Sequence, residues 1–249
     1  MTDSHAHLDA CAEPDAVVER ANDAGVTRIV TIGTGIESCR RALEIADGHD
    51  GVVAALGIDP HRAASPEASR VDELRPLLAH PKVVAVGETG LDGHHGADTL
   101  HEQRALLDEH LALAESLGLP VVIHSRAASA ATAAALEPFH GTVILHCFSE
   151  PELLDPAIER GYYVSFAGNV TYPSATELWA SAVRVPGGRI LVETDTPYLA
   201  PQPVRGRPNE PMNVRHTLAA LAEARGDEPE ALEALIDANA TAAFGLADA

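Results

Sequence analysis

The sequence predicts one domain over residues 1–249, an α/β fold of the (β/α)8 or TIM-barrel class with a metal site at its C-terminal mouth. Three observations point there. The chain has 249 residues, a typical size for such a barrel and long for most other single domains. Short β-branched runs alternate with longer amphipathic stretches from end to end, the pattern of βα units. Residues with metal-ligand character fall, one after another, at the C-terminal ends of the short runs.

The strands follow in order. A short first strand precedes His5. The next seven are residues 27–32, 51–56, 83–87, 120–123, 142–145, 162–165 and 189–192. They are continuous apolar runs, as required of parallel strands covered on both faces. Helices are expected over 14–24, 37–46, 99–117, 127–136, 151–159, 175–183, 213–224 and 229–244. In 99–117, Leu100, Leu107, Leu111, Ala114 and Leu117 recur at helical spacing, Gly118 supplies a left-handed stop and Pro120 prevents continuation. An open doubly wound sheet would show the same alternation, but neither a Gly-rich dinucleotide fingerprint nor a GxxxxGK[ST] loop is present. The Pro/Arg-rich stretch 197–211 is the longest loop-like segment and reads as a functional loop after the last strand.

Composition narrows the function classes. Aromatics are only 4% against 46% hydrophobic residues, so the core must be aliphatic and alanine-rich. No apolar run approaches the roughly 18 residues of a membrane span, and the Met-Thr-Asp-Ser-His start lacks a basic, apolar signal sequence. Cys11, Cys39 and Cys147 are odd in number and widely spaced, which argues against a disulfide framework or a zinc–cysteine site and for a reduced, cytoplasmic setting. The net charge of −20 opposes tight non-specific binding to a duplex; it does not exclude chemistry on a polyanion, because bound cations reverse the local sign.

His5 and His7 follow the first strand, Glu88 follows 83–87, His124 follows 120–123, His146 follows 142–145, and Asp195 lies just past 189–192. In a (β/α)8 barrel these ends converge on one mouth. Four imidazoles and two carboxylates suffice for two divalent cations. A His-x-His pair on extended chain projects both rings to one side, a glutamate can bridge two ions, and an aspartate can ligate one ion and accept a proton from water. Two ions about 3.5–4 Å apart would generate hydroxide near neutral pH and stabilise the charge of the reaction. Singly the residues are ambiguous: His-x-His also occurs in polar turns, Glu88 could cap a turn, His124 and His146 could be hydrogen-bonded core residues, and Asp195 could be a helix N-cap. The ordered set after five strands is what suggests a dinuclear centre.

Seven segments carry a family resemblance: Asp3-Ser-His-Ala-His-Leu-Asp9, Gly57-Ile-Asp-Pro-His61, Val86-Gly-Glu-Thr-Gly-Leu-Asp92, Leu119-Pro-Val-Val-Ile-His-Ser-Arg126, His146-Cys-Phe-Ser149, Glu193-Thr-Asp-Thr-Pro-Tyr-Leu-Ala-Pro201 and Arg205-Gly-Arg-Pro-Asn-Glu-Pro211. The chain resembles the TatD-type metal-dependent deoxyribonucleases, within the amidohydrolase-like barrels, from about residue 3 to 244. The resemblance implies that His5, His7, Glu88, His124, His146 and Asp195 ligate metal. It also implies hydrolysis of phosphodiester bonds in DNA, often by an exonucleolytic route on single strands or chain ends. Histidine-rich ligation favours zinc or manganese over magnesium, and the resemblance leaves magnesium open.

The chain departs from the family pattern in three places. Asp59 replaces the first histidine of a Gly-x-His-Pro-His segment, leaving His61 to reach a phosphate or to support the site. Ala6 replaces a frequent cysteine. Gly93-His94-His95-Gly96 stands where aromatic residues are common, so stacking of a base is not implied there. His94 and His95 read as an exposed polar loop, with extra metal ligands as the other reading. Arg126 could grip a phosphate oxygen or pair at a helix start. Arg205 and Arg207 could supply positive charge to an anionic substrate, unless Arg205 pairs with Glu210 to fix the loop. Glu193 and Asp9 could orient ligand histidines. Cys147 reads as packing. Two rivals remain: the same barrel acting on another ester, lactone, amide or aminoacyl ester, and a metal-binding protein without turnover. Some relatives bridge their metals through lysine, but the sole lysine, Lys82, starts a strand at the wrong end.

Overall fold

The structure, a computed structural model, describes residues 1–246; the last three positions of the domain expected over 1–249 lie outside the described residues. Strand order is chain order. β1 (Thr2–Ala6), β2 (Arg28–Gly33), β3 (Val52–Leu56), β4 (Val83–Asp92), β5 (Val121–Arg126), β6 (Val143–Leu145), β7 (Tyr163–Phe166) and β8 (Ile190–Val192) form one eight-stranded sheet in that sequence. Each neighbouring pair is parallel. The seam between the first and last strands is joined too. Ala6 bridges Thr196, the His7 N–H donates to the Thr196 carbonyl at 2.7 Å and the Asp195 N–H donates to the His5 carbonyl at 3.0 Å. This is the (β/α)8 barrel that the alternating pattern predicts.

Side-chain alternation explains why the strands are apolar throughout. Val30, Ile32, Ala55, Ala85, Val122, Ile144, Tyr163 and Leu191 form one buried cluster inside the barrel. Their strand neighbours Ile29, Ala54, Leu56, Val86, Val121 and Ile123 join the other layer, under the helices. The interior is aliphatic and partly alanine, as a sequence poor in aromatics requires. The last helix, Pro229–Phe244, adds Ala240, Ala243 and Phe244 to the inner cluster. Its Asn239 donates to the Ile190 carbonyl at 2.8 Å and its Thr241 hydroxyl accepts from Arg28 at 2.7 Å, both at strand starts. That helix therefore closes the N-terminal end and leaves the opposite mouth for chemistry.

Several elements differ from expectation. β4 continues to Asp92 and β5 to Arg126, and β1 contains His5, so Glu88, His124 and His5 lie within strands, not after them. Gly90 makes this possible: its φ is +149°, and a Cβ there would sit 1.9 Å from the His124 carbonyl oxygen. With glycine the two strands stay paired, Gly90 opposite His124 and Asp92 opposite Arg126. The 127–136 helix begins at Ser129, and 151–159 divides into a 3-10 turn (Pro151–Leu153) and an α-helix (Leu154–Glu159). Between β3 and β4 lie 3-10 turns at Pro60–Arg62 and Pro66–Glu73 and a short helix, Leu74–Leu78, none of them expected, because prolines interrupt the apolar period there.

The helix Leu100–Leu117 ends at Gly118 in the left-handed conformation, as its sequence predicts. It also carries His110, fully buried, whose Nε2 accepts from the Ile58 N–H at 3.0 Å and whose Nδ1–H donates to the Leu106 carbonyl at 2.8 Å. Burial pushes this imidazole down to about 4 from an ordinary 6.5. The unfolded chain therefore binds the extra proton first as pH falls. The stability from keeping His110 neutral is complete above pH 6.5 and is lost toward pH 4, on the order of 3 kcal/mol. A His110→Gln variant is expected to flatten the dependence of unfolding free energy on pH across that window, measured by urea titration against wild type. An unchanged slope would remove His110 from the acid response.

Candidate metal centre

The barrel gathers six side chains that are spread from position 5 to position 195 of the sequence. β1 supplies His5, with His7 one residue past its end; β4 and β5 supply Glu88 and His124. His146 directly follows β6, and Asp195 follows β8. The Nε2 atoms of His5 and His7 lie 3.3 Å apart. Glu88 Oε2 faces this pair at 3.5 and 3.7 Å. On the other side, His124 Nδ1 and His146 Nε2 lie 3.2 Å apart, each 3.0 Å from Glu88 Oε1. Asp195 Oδ1 is 3.3 Å from His7 Nε2 and 3.8 Å from His5 Nε2. One carboxylate thus offers an oxygen to each of two imidazole pairs.

This donor set suits coordination of divalent metal. Facing ring nitrogens repel through their lone pairs unless a proton or a cation lies between them. Zinc bonded at about 2.0–2.1 Å in tetrahedral geometry holds neighbouring ligands about 3.3 Å apart, close to both nitrogen–nitrogen separations.

The electrostatics follow from burying opposite charges together. Burial opposes ionisation of Glu88, but His146, His124 and His5 around it hold its carboxyl well below the usual range. Burial likewise works against His146 and is outweighed by Glu88 and Glu193, so that ring titrates well above an ordinary histidine. His7 and His124 are raised the same way, against burial, by Asp195 and by Asp92 with Glu88. In His5, burial and the neighbouring His146 win and the pKa falls. Asp195 is lowered, against burial, by His7, His5 and His146.

Around this centre the contacts are specific. Glu193, fully buried, accepts from the Cys147 N–H at 2.9 Å and lies 3.4 Å from His146 Nδ1, the contact expected of a carboxylate that orients a ligand ring. Asp9 does not reach a ligand histidine. The turn Leu8–Ala10 directs it to the Ser38 hydroxyl, which it accepts at 2.6 Å. Burial and the nearby carboxylates of Asp195 and Glu193 push the Cys147 thiol well up, so it stays protonated. Asp3, buried at the seam, accepts from the Thr194 N–H at 2.9 Å and the Thr194 hydroxyl at 2.6 Å, and burial pushes its carboxyl up to about 8.

A cavity of about 560 Å³ opens over the centre. His61 and Arg126 line it, together with Asp59, His95 and Tyr198. Among the described residues Arg126 makes no ion pair. It leaves the end of β5, whose neighbouring Ser125 hydroxyl and Ala128 N–H are both held by Glu150. Arg205 and Arg207 are not in the lining. Arg205 instead lies 4.0 Å over the Tyr172 ring, and Glu210 pairs with Arg20 at 2.8 and 2.9 Å, not with Arg205. Asp92 is a residue that sequence reasoning passed over. It is fully buried at the end of β4, and its Oδ2 lies 3.2 Å from His124 Nε2. Its only signal was its place at the end of the Gly-Glu-Thr-Gly-Leu-Asp segment.

The chain is similar to known proteins along nearly its whole length. The family model described as TatD related DNase matches residues 2–245. A Mycobacterium tuberculosis protein named as an uncharacterized metal-dependent hydrolase TatD is 41% identical, covering 99% of this chain and 98% of its own length. A 3'-5' ssDNA/RNA exonuclease TatD of Cronobacter sakazakii is 36% identical, covering 92% of this chain and 91% of its own length. The crystal structure of YjjV, a TatD homolog of Escherichia coli, superposes with a TM-score of 0.94 at 30% identity, over 99% of this chain and 98% of that one.

Proposed function

The chain belongs to the TatD family of metal-dependent hydrolases, and on that premise we propose that it removes nucleotides from the ends of single-stranded DNA by hydrolysing phosphodiester bonds. One observation carries the proposal: Glu88 stands between two imidazole pairs, with Asp195 at the edge of one of them. In this reading His5, His7 and Asp195 would hold one cation and His124 and His146 the other, with Glu88 offering an oxygen to each. Bound zinc or manganese ions would lower the pKa of water toward neutrality and offset phosphate charge.

The protein's own groups do the rest. Asp195, kept ionised by the rings beside it, takes the proton of the attacking water. Arg126 projects from β5 into the cavity, and its planar fork suits two phosphate oxygens. Cys147, held protonated, is no nucleophile. A cavity of about 560 Å³ has room for a terminal nucleotide, and the −20 net charge opposes tight non-specific binding to a duplex. Lys82 donates to the carbonyls of His49, Asp50 and Val52 at 3.0–3.2 Å at the strand-start end of the barrel. A lysine-bridged centre, and the lactone or amide chemistry of barrels built that way, gains nothing from it.

The test uses single-stranded oligonucleotides labelled at the 5′ or the 3′ end, with zinc or manganese supplied, beside a panel of lactones and esters. Stepwise shortening of DNA that stops when a chelator is added is the expected result. Brisk ester turnover with intact DNA would end the nuclease reading.

A further inference from the structure

We propose that Asp92, His61 and His95 form a third divalent-cation site at the rim of the same cavity, which takes a first-row ion such as Zn²⁺ and presents it to a phosphate oxygen. The phosphate half of this statement rests on the nucleic-acid reading above; the metal half does not.

One oxygen of Asp92 is overcrowded. Asp92 Oδ2 lies 3.1 Å from His61 Nε2, 3.1 Å from His95 Nδ1 and 3.2 Å from His124 Nε2. Its other oxygen is already occupied by the N–H groups of His94 and His95, at 2.8 and 2.7 Å. A carboxylate oxygen has two lone pairs in its plane, so three imidazole N–H groups cannot all be satisfied there. His124 has the first claim: with an ion of the central site on its Nδ1, beside Glu88, the ring would carry its proton on Nε2. One lone pair then remains for two rings. A nitrogen that does not donate turns its own lone pair on the carboxylate, which is repulsive unless a cation lies between. Separations of 3.1 Å are close to the spacing of about 3.3 Å between neighbouring ligands of tetrahedral zinc. Two imidazoles, one carboxylate and an open fourth position make a set that zinc readily accepts.

The surroundings fit the same reading. Asp59 Oδ1 is buried without a hydrogen-bond partner and lies 3.9 Å from His61 Nδ1. With a cation in place of the Nε2 proton, a carboxylate on that side would hold the remaining proton on Nδ1 and leave Nε2 to the ion. His61 and His95 are half-exposed, with 45% and 52% of their side-chain surface accessible, so an ion held there is open to a ligand from the cavity. Two of the departures from the family pattern, Asp59 and the Gly93-His94-His95-Gly96 loop, thus meet at this one point.

The chelator-stripped full chain is dialysed to equilibrium against Zn²⁺ and its metal counted by elemental analysis, with His95→Asn and His61→Asn alongside and circular dichroism as the check on folding. Wild type is expected to hold one more ion than either variant, three against two. Zinc-edge anomalous diffraction from wild-type crystals is expected to place a peak among His61, Asp92 and His95. Equal counts in wild type and both variants, or no peak there, overturn the site. Two ions against one would uphold this site and count against the dinuclear centre, so the two failures are distinguishable. Inorganic phosphate is the ligand probe: the loaded wild type is expected to bind it about tenfold more tightly than His95→Asn, and equal affinity overturns the phosphate role.

Discussion

Replacing Asp195 by asparagine is expected to lower the rate constant of DNA cleavage about a thousandfold while leaving KM nearly unchanged, within the range general-base groups contribute. The amide keeps the shape of the carboxylate and an oxygen to set near His7, now 3.3 Å from Oδ1. It cannot take a proton. The backbone around it should not move, because the position is held by the bond from the Asp195 N–H to the His5 carbonyl and by the bridge between Ala6 and Thr196. Single-turnover kinetics on a labelled oligonucleotide, with metal content measured on the same sample, separate loss of the base from loss of an ion. Cleavage within a few-fold of wild type would remove Asp195 from the reaction.

Glu88→Gln should be more damaging, because one change touches both halves of the centre. Its two oxygens face separate imidazole pairs, so the amide loses an anionic donor to each ion. Activity is expected to fall about ten-thousandfold and zinc content to fall below two, a loss larger than that of Asp195→Asn and not additive with it. The metal-free protein should suffer as well. His146 is held well above an ordinary histidine by Glu88 and Glu193 acting against burial. Near neutral pH the variant therefore keeps a buried ring whose charge has lost one of its two partners. Removing one partner of a buried pair costs about 3 kcal/mol or more, measurable by urea unfolding in chelator at neutral pH. Full metal content with activity within tenfold of wild type would refute the bridge.

Strand order and the identity of the six central side chains were legible in the sequence because both are local properties. An apolar run bounded by turn residues marks a strand wherever it occurs. Once the strands are parallel and consecutive, the residues at their C-terminal ends must share one mouth. His5, Glu88 and Asp195 could be brought together on paper for that reason alone. The place of Glu88 inside a strand could not be read, since the Gly-Glu-Thr-Gly-Leu-Asp segment has no β-branched run to signal a strand. It stays extended only because Gly90 lets the chain lie against His124.

What remained hidden depends on directions, and directions are set by contacts between distant parts of the chain. Asp92 becomes a hub because the turn after β3, the loop after β4 and strand β5 aim His61, His95 and His124 at one of its oxygens. Arg205 rests on Tyr172 and Glu210 pairs with Arg20, across 190 positions of sequence, where proximity along the chain had suggested Arg205 with Glu210. Asp9 turns to Ser38 for the same kind of reason. Residue type and spacing carry the inventory of chemical groups and the end of the barrel they share. Which ring nitrogen faces which oxygen follows from strand register and side-chain packing, and those are properties of the closed barrel, not of any segment in it.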